Sequence, residues 1–269
     1  MTDPDSNPPT FTLVAQLGIY CDPNSQPGYG QLRVFDEQCH GGQVRPSVLM
    51  LIADITGGMI GEKEDPECWH FTTDFQLRTT AAPLPDHIDV YADVLRAGAS
   101  TLACECRFTT PDGAEVGYAQ IGFGRFHQRP GDPAKHIHDP PRPDLTGLPD
   151  IAQPLAELAG IEVVDPALGH VEAELTPQLL NPAGIMQGAM VTLVGEVGAE
   201  TLAESEFGSP YVVADMDIRY LLGGKIGPVY STCRWMGDPS SGWVVAEIRD
   251  LGKGDRLMAT MMLRVRPAR

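Results

Sequence analysis

Pro46-Ser-Val-Leu-Met-Leu-Ile-Ala-Asp54-Ile-Thr-Gly-Gly58 and Gly188-Ala-Met-Val-Thr-Leu-Val-Gly-Glu196-Val-Gly-Ala199 are the two stretches that decide how this chain folds. Each is apolar on nearly every side, carries small residues, and holds one acid eight positions after its first residue (54 − 46 and 196 − 188). A helix apolar all round cannot lie on a surface and has to be covered. Two of them in 269 residues point to an internal repeat.

The flanks agree. His70 to Arg78 matches Tyr211 to Arg219, with Asp74 against Asp215, an offset of 141 (215 − 74). Alternation places Ile88, Val90, Ala92 and Val94 on one strand face, and Leu102, Cys104, Cys106 and Phe108 on another. Leu257, Ala259, Met261, Leu263 and Val265 alternate in the same way near the end. The hairpin turn at Asp112-Gly113 corresponds to Gly254-Asp255. Each half reads as strand, loop, long helix, then four mostly antiparallel strands, and a curved sheet wrapped round the helix is the economical cover. The expected organisation is an α+β chain with one domain at 1–127, a linker at 128–150 rich in Pro, Asp and His, and a second domain at 151–269.

Composition excludes several classes. A net charge of −17 argues against a nucleic-acid or anionic-membrane binder, which gains affinity by neutralising phosphates with Lys and Arg. No apolar run approaches the roughly 18 residues of a spanning helix, and the polar, acidic segment Met1–Pro9 reads as neither secretion signal nor transit peptide. The cytoplasm is the expected location. The six cysteines show no zinc-like spacing, and His127, His136 and His138 read as solvated linker residues, so no metal and no cofactor are expected.

Asn181-Pro-Ala-Gly-Ile-Met-Gln187-Gly188, followed by Glu196, resembles the Asn-Pro-x-Gly-x-x-His-Gly-Gly…Asp/Glu motif of the PaaI-like hotdog thioesterases. Val213-Ala-Asp-Met-Asp-Ile-Arg-Tyr-Leu is similar to the strand that follows the helix in that family. The likeness covers residues 165–268 well and 28–126 more weakly through the repeat. It implies two tandem hotdog domains forming a pseudo-dimer, and hydrolysis of acyl-CoA thioesters. Gln187 stands where the family has histidine, and the first half has Cys39, Arg45 and Pro46 where the motif places Asn, His and Gly.

The resemblance assigns the carboxylate to the helix acid and the oxyanion donor to the amide at the helix start, where unpaired N–H groups and the dipole favour negative charge. Eight residues of helix span roughly 12 Å, too far for one carbonyl to meet both ends. The two parts must come from different halves. One composite site pairs Asp54 and Thr72 with Asn181 and the Gly188 amide, while Gln187 either caps the helix or stands in for the family's histidine as a substrate-binding residue. The other pairs Glu196 and Val213 with Cys39 and Pro46, which lacks an N–H. The useful residues gather in the first, so one working site is expected, with Asp54 as water activator and Glu196 evenly balanced between function and local hydrogen bonding.

For the CoA phosphates, Arg78, Arg219 and Lys225 are the candidates, and Met50, Met59, Met186 and Met190 either line an acyl tunnel between the helices or fill the core. A non-catalytic acyl-CoA or lipid-binding protein is the competing reading. The Asp/His loop of hotdog hydratases is not found ahead of either helix, and a serine-hydrolase elbow is missing. Further pairing of two such chains into a homodimer stays open.

Overall fold

The computed structural model describes residues 16–22, 24–80, 82–127 and 151–269. The first half contains β1 (Ile19–Asp22), β2 (Gly28–Arg33), the two-residue strands β3 (Cys39–His40) and β4 (Gln43–Val44), helix α1 (Pro46–Glu64), then β5 (Cys68–Thr79), β6 (His87–Ala97), β7 (Thr101–Thr109) and β8 (Glu115–His127). The second half repeats the plan with α2 (Leu155–Leu158), β9 (Ile161–Asp165), β10 (His170–Ala173), α3 (Gly188–Phe207), β11 (Tyr211–Tyr220), β12 (Val229–Trp235), β13 (Trp243–Asp250) and β14 (Arg256–Pro267). Two main strands precede each long helix instead of the single one expected. The extra ones are short edge strands, β1 and β9, too brief to show alternation.

Twelve of the strands form one antiparallel sheet in the order β1-β2-β6-β7-β8-β5-β11-β14-β13-β12-β10-β9, and β3 and β4 pair separately. Helix α1 packs on β2 and β5–β8, α3 packs on β10–β14, and the helices pack on each other. Val48 to Ala53 are all at most 1% exposed, as are Leu193 and Val194, which is the full covering an all-round apolar helix requires. This is the tandem double hotdog, two long helices each wrapped by a curved sheet.

The halves join edge to edge through β5 and β11. Gln76 pairs with Asp217, its own counterpart at the repeat offset (217 − 76 = 141), while Asp74 pairs with Arg219 and Arg78 with Asp215. The register is therefore symmetric about Gln76 and Asp217, as a pseudo-two-fold axis demands. Alternation held for Leu102, Cys104, Cys106 and Phe108, all buried. It failed at Val94, which is 36% exposed, because the β6–β7 register slips between Val94 and Arg96. Among the described residues no helix is long and apolar enough to cross a membrane.

Candidate active site

Asp54 sits midway along α1 with partners from both halves. The Thr72 hydroxyl on β5 donates to its Oδ1, and the Gln187 Nε2 donates to its Oδ2 at 3.4 Å. Burial raises the Asp54 pKa to about 6, while the hydrogen bonds from Thr72 and Gln187 work in the opposite direction. The residue nonetheless keeps part of its surface open.

The local structure explains each aim. β5 slips against β8 between Thr72 and Asp74, and β11 slips against β14 between Val213 and Asp215, the same place in the repeat (213 − 72 = 141). A bulge redirects the flanking side chains, and Thr72 is turned onto Asp54. Gln187 is the N-cap of α3, and its Oε1 accepts the Ala189 N–H. An amide with its oxygen so engaged has to point its NH2 the other way, which is toward Asp54. Beside it, the Gly188 N–H has no acceptor among the described residues. The position is tight as well as unpaired: a Cβ on Gly188 would stand 3.3 Å from Met50 Cε and 3.5 Å from the Tyr220 hydroxyl.

Tyr220, at the end of β11, and Thr192, one turn into α3, complete the wall. The Tyr220 hydroxyl lies 2.6 Å from Thr192 Oγ1 and 3.0 Å from the Gly188 carbonyl. Burial holds the phenol pKa above its ordinary value, and the nearby Asp54 carboxylate adds to the rise. Sequence reasoning missed both residues. Thr192 was legible as the i+4 neighbour of Gly188, whereas Tyr220 has Thr79 as its repeat counterpart and gave no signal.

Asn181 sits in the loop that leads into α3. Its Oδ1 accepts the N–H groups of Ala183 at 3.0 Å and Ile185 at 3.3 Å, so it shapes the loop leading to α3. Glu196 does face the start of the opposite helix, accepting the Ser47 N–H at 3.0 Å, but Arg45 rather than Cys39 or Pro46 is its main partner. Arg45 lies 2.9 Å from both Glu196 and Glu200 in a buried cluster. Cys39 instead reaches the Phe35 carbonyl. Burial raises the Glu200 pKa, opposed by Arg45, so two carboxylates share one cation there. Glu196 is tied up as an ion-pair partner.

The expected phosphate ligands divide. Arg78 forms a two-point pair with Asp217, at 2.8 and 3.2 Å, and Arg219 pairs with Asp74 at 3.3 Å, so both guanidinium groups serve the junction of the halves. Lys225 has an exposed side chain, while its backbone N–H donates to Asp250 at 2.8 Å. Met50, Met186 and Met190 are core residues. A cavity of about 270 Å³ lies under α1 between Thr56, Met59, Ile60, Lys63 and the β1–β2 and β6 strands, not between the helices. At about 100° per residue those helix positions are half a turn round from Asp54. His136 and His138 lie outside the described residues, as does all of 128–150. His127 Nδ1 is 3.3 Å from Cys68 Sγ, and no group among the described residues could hold a metal ion.

No family model and no curated protein matches the chain. Solved structures do. A protein of unknown function with the hot dog fold from Alicyclobacillus acidocaldarius is 15% identical over 94% of this chain and 97% of its own, with a TM-score of 0.61. An acyl-ACP thioesterase from Bacteroides thetaiotaomicron is 12% identical over 94% and 99%, TM-score 0.58. A 12:0-ACP thioesterase from Umbellularia californica is 10% identical over 93% and 97%, TM-score 0.59. At such identities the likeness carries the architecture alone, and by that measure the chain has the double hotdog fold along nearly its whole length.

Proposed function

We propose that the chain is a PaaI-like hotdog thioesterase that hydrolyses an acyl-CoA thioester in the cytoplasm, with Asp54 activating the water. The observation that carries this reading is a single carboxylate held by Thr72 from its own half and by Gln187 from the other, beside an unpaired Gly188 N–H. With a pKa of about 6, Asp54 is mainly ionised at neutral pH yet close enough to titration to take a proton. Water, deprotonated by Asp54 as it attacks, adds to the thioester carbonyl carbon. The Gly188 N–H and the remaining Gln187 Nε2 proton are the donors for the developing oxyanion. Collapse breaks the C–S bond, and the thiol leaves with the proton that Asp54 held. Lys225, with Arg78 and Arg219, is a candidate for the CoA phosphates.

Thiol release from short, long and aromatic acyl-CoAs, with acyl-ACP alongside, tests the reading. Asp54→Asn is expected to lower the rate by about 10²–10⁴; wild-type rates in that variant remove Asp54 from the mechanism. A non-catalytic acyl-CoA or lipid-binding protein is the second reading, favoured by the position of the 270 Å³ cavity away from Asp54. Calorimetric binding of acyl-CoA without thiol release would establish it instead.

A further inference from the structure

We infer that Tyr220 is a positioning residue of the Asp54 site, fixing the Gln187 amide through the Gly188–Ala189 peptide. The chain of contacts is continuous. The hydroxyls of Tyr220 and Thr192 each lie 3.0 Å from the Gly188 carbonyl and 2.6 Å from each other. That carbonyl belongs to the same peptide unit as the Ala189 N–H, which donates to Gln187 Oε1. Clamping the oxygen fixes the peptide plane and polarises its N–H, because hydrogen bonds on the two ends of an amide strengthen one another. The N–H then holds Oε1, and the Nε2 end of Gln187 is left facing Asp54 at 3.4 Å. No hydrogen bond joins Tyr220 to Asp54 among the described residues, so the influence runs through the peptide.

Among the described residues, the Cys106 thiol of β7 and the Tyr220 phenol of β11 are titratable groups that feel the Asp54 charge, both shifted upward chiefly by burial and so protonated throughout the range of interest. Thr72 and Gln187, the direct partners, carry no charge. Any change in Asp54 ionisation on altering Tyr220 therefore reports the loss of a donor, not of a charge. Because Gln187 favours the ionised carboxylate, losing it moves the Asp54 titration upward.

The inference deepens the thioesterase reading, but its test does not depend on turnover. The Asp54 carboxyl is followed by ¹³C NMR titration of the full chain, with Asp54→Asn identifying the resonance. Tyr220→Phe is expected to raise the midpoint by roughly one to two pH units, the worth of one hydrogen bond to a charged group. Gln187→Met should do the same, and the double variant should go no further than either alone. If Tyr220→Phe fails to fold, Thr192→Val is expected to shift the midpoint in the same direction. An unmoved midpoint in Tyr220→Phe or Thr192→Val, or shifts that add in the double variant, overturns the relay. Wild-type hydrolysis by Asp54→Asn would instead sink the thioesterase mechanism while leaving the titration result standing.

Discussion

Arg45 and Gln187 hold the same position in the two halves, each the residue just before its long helix, and each reaches the acid of the other half's helix. The correspondence is exact in register, since 187 − 45 and 196 − 54 both equal 142. Chemistry separates them. A guanidinium 2.9 Å from Glu196 supplies a full neutralising charge, whereas an amide 3.4 Å from Asp54 supplies only a dipole. One acid is locked into the scaffold, and the other stays perturbed and partly open.

That perturbation bears on stability as well as chemistry. Asp54 has a folded pKa of about 6 against an ordinary 3.8. A raised carboxylate binds its proton more tightly when folded, so its contribution is fully present below the unfolded value and is lost as pH rises through about 6. Asp54→Asn should therefore be about 1–3 kcal/mol more stable than wild type at pH 8, with the advantage vanishing near pH 4. Urea unfolding at several pH values measures it.

Removing Arg45 should have the opposite effect. Arg45→Ala leaves Glu196 and Glu200 buried without their cation, a loss of about 3–5 kcal/mol. Chemical denaturation at neutral pH should reveal it, and lowering the pH should restore part of the loss by protonating the stranded carboxylates.

Gly198 is required by close approach. A Cβ there would meet Ser231 Oγ and stand 2.7 Å from the Gly169 carbonyl. Backbone cannot give way as a flexible side chain does, so Gly198→Ala is expected to destabilise by about 1–3 kcal/mol. A fall in melting temperature would register this, while Gly208→Ala provides a contrast, because its penalty comes from a φ of +68° and open space surrounds it.

Asp250 staples the β11–β12 and β13–β14 connections. Its buried carboxylate accepts the N–H groups of Lys225, Ile226, Gly227 and Lys253. Burial works to raise its pKa, but the four backbone donors win and hold it low. Its stabilisation is present above the ordinary carboxylate range and lost as pH falls through the depressed value. Asp250→Ala should weaken the fold by about 2–4 kcal/mol at pH 7, and amide exchange of residues 225–227 should accelerate most.

Much of this was legible beforehand. The all-round apolar helices, the 141-residue offset and the alternation of Leu102, Cys104, Cys106 and Phe108 carry the fold, because burial leaves its period in the residues themselves. The expectation of a site shared by the two halves also followed from helix length. What was not legible depended on side chains meeting across long separations. Arg45 looked like the residue where a motif was broken, and only its distance to Glu196 and Glu200 reveals a buried cation. Arg78 and Arg219 were candidate phosphate ligands, and their ion pairs with Asp217 and Asp74 across the β5–β11 junction gave no sign in the sequence.

The sequence by itself determined the elements, their repetition and the location of one acid in each apolar helix, since these rest on local periodicity and the cost of exposing apolar surface. Only the tertiary structure decided which acid stays available. That choice turns on a few ångströms between groups more than 130 residues apart, where charge and hydrogen-bond geometry, not hydrophobicity, set the outcome.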